Sequence, residues 1–344
     1  MRALRFNAPF DVTCVEADEP VVRDSRDAII DVAATCVCGS DLWAFRGENE
    51  RKPGSLTGHE CVGEVVQVGA DVRDIRVGDF VVVPFLASCG SCVLCRAGQL
   101  QSCVVAAEAG VFSTQAAQAQ RVRAPFADGS LVVVPGGRPA EALLPHLLAL
   151  SDVMGTGYHA AVSARVQPGD TVAVVGDGAV GLCGVVASTM LGAKRIIMLS
   201  RHVDRQNIAR AFGATDIVSE RGDEATASVR ELTHGLGADA VLECVGTAQS
   251  MSTAFDIARP GATIGFVGLP HDVDVPVGRM FRHNIGLAGG VAPTRKYTPQ
   301  LVAAVLSGSI TPGDVFDLKL SLEELPQGYV EMNERRAIKA WATP

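Results

Sequence analysis

Between residues 171 and 291 the apolar positions come in short runs separated by longer amphipathic stretches. TVAVVG (171–176) is a compact apolar run closed by glycine, and AVGLCGVVASTMLGA (179–193) has the length and composition of a helix. RIIMLS (195–200) reads as a strand and VDRQNIARAFGA (203–214) as an amphipathic helix ending in a glycine signal. The rhythm continues through DIVS, a helical 224–234, ADAVLECVG, a helical 249–259, and two last strands in ATIGFVGL and NIGLAGGV. Strands alternating with helices require parallel crossovers, so the stretch predicts a doubly wound parallel sheet of the α/β class. Six strands fit a Rossmann dinucleotide-binding domain.

The first 150 residues are patterned differently. DAIIDVAATCVC, CVGEVVQVGADV and GDFVVVPF are β-rich and glycine-punctuated, without regular helices between them, which predicts a mostly antiparallel, barrel-like domain. Beyond about residue 291, RKYTPQLVAAVLSGSI reads as a helix followed by a tail too short for a domain, expected to pack back on the first one. A chain of 344 residues suits two domains. QAAQAQ (115–120) is locally biased, but there is no internal repeat and no low-complexity linker.

Charge narrows the partners. A formal net charge of -8 argues against nucleic acid and anionic membranes, both of which reward a basic surface. No apolar run is long enough for a membrane helix, and acidic residues stand near the N-terminus where a signal peptide would be apolar. The expected compartment is the cytoplasm, where thiols stay reduced.

That expectation bears on CGSCVLCRAGQLQSC (89–103), which holds four of the ten cysteines. Cys89, Cys92, Cys95 and Cys103 form C-x2-C-x2-C-x7-C, a spacing that lets thiolates wrap one tetrahedral zinc. With all four positions filled by protein, such a metal is structural; an iron–sulfur centre is the rival, because thiolate quartets also hold iron. Cys14, Cys36, Cys61, Cys183 and Cys244 lie in apolar or strand-like runs and read as small buried hydrophobes.

VVGDGAVG (174–181) contains Gly176-x-Gly178-x-x-Gly181 between a predicted strand and a predicted helix, the context a dinucleotide fingerprint needs. The first glycine permits a tight turn, the second a close approach of backbone to pyrophosphate, and the third close helix–strand packing. The helix N-terminus adds free N–H groups for the phosphates. At the end of the second strand, where an Asp or Glu would take the ribose of NAD, stand Ser200 and Arg201, with Arg205 one helical turn on. No carboxylate stands at the strand end itself to repel a 2′-phosphate, and Arg201 can pair with one, so NADP(H) is expected over NAD(H). Two further pieces, CVCGSDLW (36–43) and LTGHECVGEVVQVG (56–69), offer Cys38 and His59 as metal ligands, though their spacing alone leaves that open.

Together, CVCGSDL, GHE, the cysteine quartet, DVMGTGYHA and GDGAVG, in this order over nearly the whole chain, resemble the zinc-dependent medium-chain alcohol dehydrogenases. The resemblance implies a GroES-like catalytic domain, 1–153 and 292–344, split by a Rossmann domain at 154–291. It implies a catalytic zinc on Cys38, His59 and Asp152, with Glu60 as an exchangeable fourth ligand or close neighbour. Asp41 would hold the other ring nitrogen of the histidine, and Ser40 would take the alcohol proton. Zinc then acts as a Lewis acid on the alcohol oxygen, and hydride passes from the carbinol carbon to the nicotinamide. Val180, Val245, Val267 and Gly268 would border the cofactor, and Lys339 in AIKAW would contact a phosphate. The implied activity is an alcohol dehydrogenase or carbonyl reductase acting on a small molecule, with two zinc ions per chain and a homo-oligomeric assembly, dimer or tetramer.

The chain also departs from that pattern. Trp43 replaces a histidine that passes the proton onward in many members, and indole cannot accept a proton. Trp43 and Phe85 hint at an apolar substrate lining. A glycine pair common in the family is replaced within TQAAQAQ, and Glu220 stands where some NADP-dependent relatives carry an aromatic. A zinc-free quinone or enoyl reductase of the same fold is opposed by the ligand set. A non-catalytic dinucleotide-binding protein is opposed by that set together with Ser40.

Overall fold

The computed structural model describes all 344 residues. Fifteen strands follow in chain order. They are β1 (Arg2–Ala8), β2 (Asp11–Glu16), β3 (Ala28–Cys36), β4 (Cys61–Val68), β5 (Phe80–Val83), β6 (Arg121–Ala124) and β7 (Val132–Val133). Then come β8 (Thr171–Val175), β9 (Arg195–Leu199), β10 (Asp216–Val218), β11 (Ala238–Glu243), β12 (Ala258–Phe266) and β13 (Gly286–Gly289), with β14 (Leu318–Ser321) and β15 (Ala340–Thr343) last. The chain divides into two compact units, Met1–Asp152 with Pro293–Pro344, and Val153–Ala292.

In the second unit the sheet order is β10-β9-β8-β11-β12-β13, and every neighbouring pair is parallel. This is the doubly wound order, in which the chain reverses direction across the sheet between β8 and β11. The central strands are apolar through their middles because helices cover both faces. Val172, Val174, Ile197, Val241 and Leu242 are each 0% exposed. Burying one such side chain stabilises the fold by about 1.5–3 kcal/mol. Strand β12 begins four residues before the expected 262. Pro260 and Gly261 look like a turn in the sequence, yet they sit inside the strand where the β11–β12 register shifts, a bulge. The helix Ala248–Ile257 that feeds β12 opens with a reciprocal cap between Thr247 and Ser250, worth about 1 kcal/mol.

The first unit is built on a sheet ordered β14-β15-β3-β4-β5-β7, with β6 also pairing β3. Its pairs are antiparallel except β14–β15. One core lies among Ile30, Cys61, Val65, Val81, Val83 and Val122. A second joins Leu4 and Phe6 of β1 to Leu42, Phe45, Leu322, Leu325 and Tyr329, so the C-terminal tail is packed against the N-terminal hairpin. The helix expected over 295–310 spans Thr294–Leu306.

Candidate metal and dinucleotide sites

Cys38 lies two residues beyond β3, and His59 and Glu60 immediately precede β4. Those strands are antiparallel neighbours with Thr35 opposite Cys61, so their pairing carries both segments to one end of the sheet. Asp152 follows the helix Leu144–Ala149, in a turn tied down by the Phe85 N–H donating to the Ser151 carbonyl at 2.9 Å. Cys38, His59, Glu60 and Asp152 each offer a donor atom, and these atoms all lie within 4.8 Å of one another. Cys38 Sγ is 3.6 Å from Asp152 Oδ2. His59 Nε2 is 3.7 Å from the same oxygen and 4.0 Å from Glu60 Oε1.

The other nitrogen of His59 faces away from this cluster, with Nδ1 3.8 Å from Asp41 Oδ1. Asp41 is held in turn. Its Oδ2 accepts from the Cys38 N–H at 3.1 Å, and Arg51 Nη1 lies 3.5 Å from its Oδ1. Gln118, 0% exposed, donates from Nε2 to the Cys36 carbonyl at 2.9 Å and to Asp41 Oδ2 at 3.5 Å. Its Oε1 accepts from the Tyr329 hydroxyl at 2.8 Å and from the Thr57 hydroxyl. Gly58 (φ +90°) lets the loop carrying His59 lie against Gln118, since a Cβ there would stand 2.5 Å from Gln118 Cγ.

The electrostatics favour a cation. Burial, with Glu60 and Asp152 adding negative charge, pushes the Cys38 thiol up. For His59 burial acts downward, but Cys38 and Asp41 outweigh it and hold the imidazole well above its usual value. Glu60 Oε2 is buried with no hydrogen-bond partner. One sulfur, one imidazole and two carboxylates suit a zinc site, and a divalent ion among them would relieve both the mutual repulsion and the orphaned oxygen.

Ser40 is exposed, its N–H lies 3.5 Å from Cys38 Sγ, and its side chain makes no capping bond to the helix Asp41–Phe45 that it precedes. The Phe85 ring meets His59 edge to face at 6.2 Å, and Trp43 is half-buried with the Arg46 guanidinium 5.9 Å from its ring. Lys339 requires a correction. Expected at a cofactor phosphate, it is 1% exposed, and its ammonium donates to Glu60 Oε1 at 2.8 Å and the Val37 carbonyl at 3.1 Å. Its charge is paired with the carboxylate next to His59.

The second cluster is the cysteine quartet, whose sulfurs also lie within 4.8 Å of one another. Cys89 and Cys95 are 4.0 Å apart, as are Cys92 and Cys103; four zinc–sulfur bonds of about 2.3 Å in a tetrahedron give about 3.8 Å. Backbone N–H groups point at the sulfurs: Cys92 to Cys89 at 3.3 Å, Cys95 to Cys92 at 3.5 Å, and Ala106 to Cys103 at 3.4 Å. The N–H of Cys95, chief among the groups donating to it, lowers the Cys92 thiol to about 6. The space enclosed takes one ion, which favours a single metal over a multi-iron cluster.

In the second unit the expected cofactor residues gather at the carboxyl ends of the parallel strands, where dinucleotides bind. Gly176 follows β8 with φ +112°, and a Cβ there would stand 2.6 Å from Val245 Cγ2. Gly178 caps the helix Ala179–Met190 with open space around it, Val180 lies in its first turn, and Gly181 presses on the Gly176 carbonyl. Val245 follows β11, and Val267 and Gly268 follow β12, their N–H groups donating to the Glu243 carbonyl at 2.9 and 3.3 Å. Ser200 follows β9 and is 4% exposed, whereas Arg201 is exposed and Glu220 is exposed beyond β10.

One residue changes the sequence picture. Asp177, between the first two glycines, accepts from Ser200 Oγ at 2.7 Å and from Arg205 Nη1 at 3.1 Å. A carboxylate therefore does stand at the end of β9, delivered from the glycine turn rather than from β9 itself. The signal was an acid inside the glycine-rich turn. Gln118, Thr57 and Tyr329 were missed as well, since only the fold brings them to Asp41.

Comparison with known proteins follows the same two-part division. Residues 24–135 match the profile of the alcohol dehydrogenase GroES-like domain, and residues 179–307 that of zinc-binding dehydrogenases. The chain is 34% identical over 348 residues to zinc-type alcohol dehydrogenase B of Aspergillus flavus, covering 98% of this chain and 80% of that one. It is 30% identical to a glutathione-independent formaldehyde dehydrogenase of Bacillus subtilis, covering 90% and 85%. The solved structure of an alcohol dehydrogenase from Thermus sp. ATN1 superposes with a TM-score of 0.90 at 31% identity, covering 100% of this chain and 99% of that one.

Proposed function

Because the chain belongs to the zinc-dependent medium-chain alcohol dehydrogenase family, we propose that it transfers hydride between a small alcohol and its aldehyde or ketone, with NADP(H) preferred over NAD(H). The observation that carries this reading is the convergence of Cys38, His59, Glu60 and Asp152 within 4.8 Å. Cys38, His59 and Asp152 would hold the catalytic zinc with Glu60 beside or on it, and Cys89, Cys92, Cys95 and Cys103 a structural zinc. Zinc at the first site supplies Lewis acidity toward the alcohol oxygen, and the dinucleotide supplies the hydride acceptor.

The protein's own residues do the rest. Asp41, fixed by the Cys38 N–H, Arg51 and Gln118, fixes the tautomer and orientation of His59. Ser40 Oγ accepts the proton of the substrate hydroxyl and releases its own to water, because Trp43 offers no acceptor to extend a relay. Phe85 and Trp43 line the substrate side with apolar surface. Gly176, Gly178 and Gly181 admit the pyrophosphate to the N-terminus of the helix Ala179–Met190. Exposed Arg201 attracts a 2′-phosphate with its planar guanidinium.

A homo-oligomer in the cytoplasm belongs to the same reading; no helix is long and apolar enough to cross a membrane. The test is a screen of alcohols, polyols and aldehydes with both cofactors on zinc-loaded protein, comparing kcat/KM in wild type and Arg201→Ala. Turnover with NADP, reduced selectively by Arg201→Ala, supports the reading. No turnover across the screen would favour a non-catalytic binding protein, and a preference for NAD would overturn the cofactor assignment.

A further inference from the structure

An acid in a turn that is to hold a pyrophosphate adds repulsion toward it. This turn nevertheless carries Asp177, and the structure shows how it is accommodated. Both carboxylate oxygens are engaged: Oδ2 accepts the Ser200 hydroxyl at 2.7 Å, and Oδ1 accepts Arg205 Nη1 at 3.1 Å. The same Nη1 lies 3.4 Å from the Asp177 carbonyl, so the guanidinium binds the turn twice. The side chains of Arg205 and Asp177 are only 13% and 18% exposed, which sets this pair apart from a loose surface contact. Ser200 and Arg205 are also the two donors that a 2′-phosphate at the end of β9 would call upon, together with exposed Arg201.

We propose that Asp177 is a specificity-determining residue: by bridging Ser200 and Arg205 it competes with the 2′-phosphate of NADP for both donors, and so limits discrimination between NADP and NAD. This rests on the reading that the second unit binds a nicotinamide dinucleotide, but not on which one it prefers. A ribose hydroxyl can donate to the Asp177 carboxylate, whereas a 2′-phosphate can only repel it. Binding of the phosphate therefore requires Ser200 and Arg205 to leave an acid that already satisfies them. Arg201 is left as the main attraction.

The test compares 2′,5′-ADP with 5′-AMP, and NADPH with NADH, by direct binding titration, which needs neither turnover nor metal. Asp177→Asn removes the charge with little change of shape. It should tighten 2′,5′-ADP by about tenfold, the effect of returning one charged hydrogen-bond donor, Arg205, from the acid to the phosphate, and alter 5′-AMP by less than threefold. Asp177→Asn combined with Arg205→Ala should fall back to within about threefold of wild type, because the released guanidinium is what provides the gain. Asp177→Ser serves the same comparison if the Asn variant does not fold.

A change of less than twofold in the 2′,5′-ADP to 5′-AMP ratio overturns the assignment, as does a gain retained in full by the double variant. If wild type binds NADH more tightly than NADPH while Asp177→Asn still shifts the ratio, the cofactor preference proposed above fails and the role of Asp177 stands. An unshifted ratio removes that role whichever cofactor wild type prefers.

Discussion

The ammonium of Lys339 lies 2.8 Å from Oε1 of Glu60, and the two side chains are 1% and 0% exposed. The pair sits directly behind the Cys38–His59–Asp152 cluster, so the lysine counters one charge in a group of acids that share a small volume. Burial acts to lower the lysine, but the negative charge of Glu60 beside it outweighs that and holds the ammonium well above its usual value.

Lys339→Met should destabilise the protein by about 3–5 kcal/mol, because it leaves Glu60 buried without its partner. That corresponds to a fall in Tm of about 10 °C for a unit of this size. Adding Glu60→Gln to the same chain should recover more than half of the loss. Thermal melts of the two single variants and the double variant decide it. A Lys339→Met protein as stable as wild type would show that Glu60 does not depend on the lysine.

Gln118 works through its amide polarity, with an acceptor end on two hydroxyls and a donor end on the Cys36 carbonyl and Asp41. Gln118→Glu turns the donor end into an acceptor facing an oxygen and a carboxylate, a change of about 1–3 kcal/mol in stability. Through Asp41 it should weaken zinc at the Cys38 site by about 10–100-fold, leaving the quartet unaffected. Chelator competition with each site followed separately is the measurement. Equal weakening at both sites would indicate general damage instead.

How far these relationships were legible beforehand depends on the range of the interaction that fixes them. The parallel sheet announces itself because β8 and β9 must be apolar on both faces and their helices amphipathic, which is local pattern. Strand β12 was misplaced at its start because Pro260 and Gly261 act locally as turn residues and are overridden by pairing with β11. The cysteine quartet is a local spacing and could be read directly, whereas Cys38 and His59 needed a resemblance, since 20 residues separate them. Lys339 was misassigned for the same reason: a basic residue near the end of the chain gives no sign that it is buried against Glu60. Asp177 is not legible as a residue of the ribose end because local sequence places such an acid on β9, while the fold supplies one from the neighbouring turn.

Ala116 adopts φ +67° within the stretch where the family commonly has a glycine pair. An L-residue therefore holds left-handed backbone at this position, which costs about 1–2 kcal/mol. Ala116→Gly should relieve that strain and give back part of the gain as extra freedom in the unfolded chain. The expected net effect is a stabilisation of about 1 kcal/mol, read as a rise in Tm with unchanged zinc content. A lower Tm would mean that the methyl group contributes packing that outweighs the strain.

On the proposed assignment of a closed structural site to the quartet and a catalytic one to the Cys38 cluster, the two should separate cleanly under substitution. Elemental analysis of purified protein is expected to give two zinc ions per chain, and iron with acid-labile sulfide would refute the assignment of the quartet. Cys95 is buried in a small core with Cys103, Ala87, Ala106 and Phe126. Cys95→Ser should therefore release one zinc and lower Tm substantially, since binding energy at a structural site is folding energy. Cys38→Ser should also release one zinc but abolish turnover with a much smaller fall in Tm, because β3 and β4 are held by their own ladder and core. The decisive comparison is the ratio of stability loss to activity loss in the two variants. If Cys38→Ser unfolds the protein as readily as Cys95→Ser, the metal at Cys38 serves the fold, and the chemistry assigned to it must be sought elsewhere.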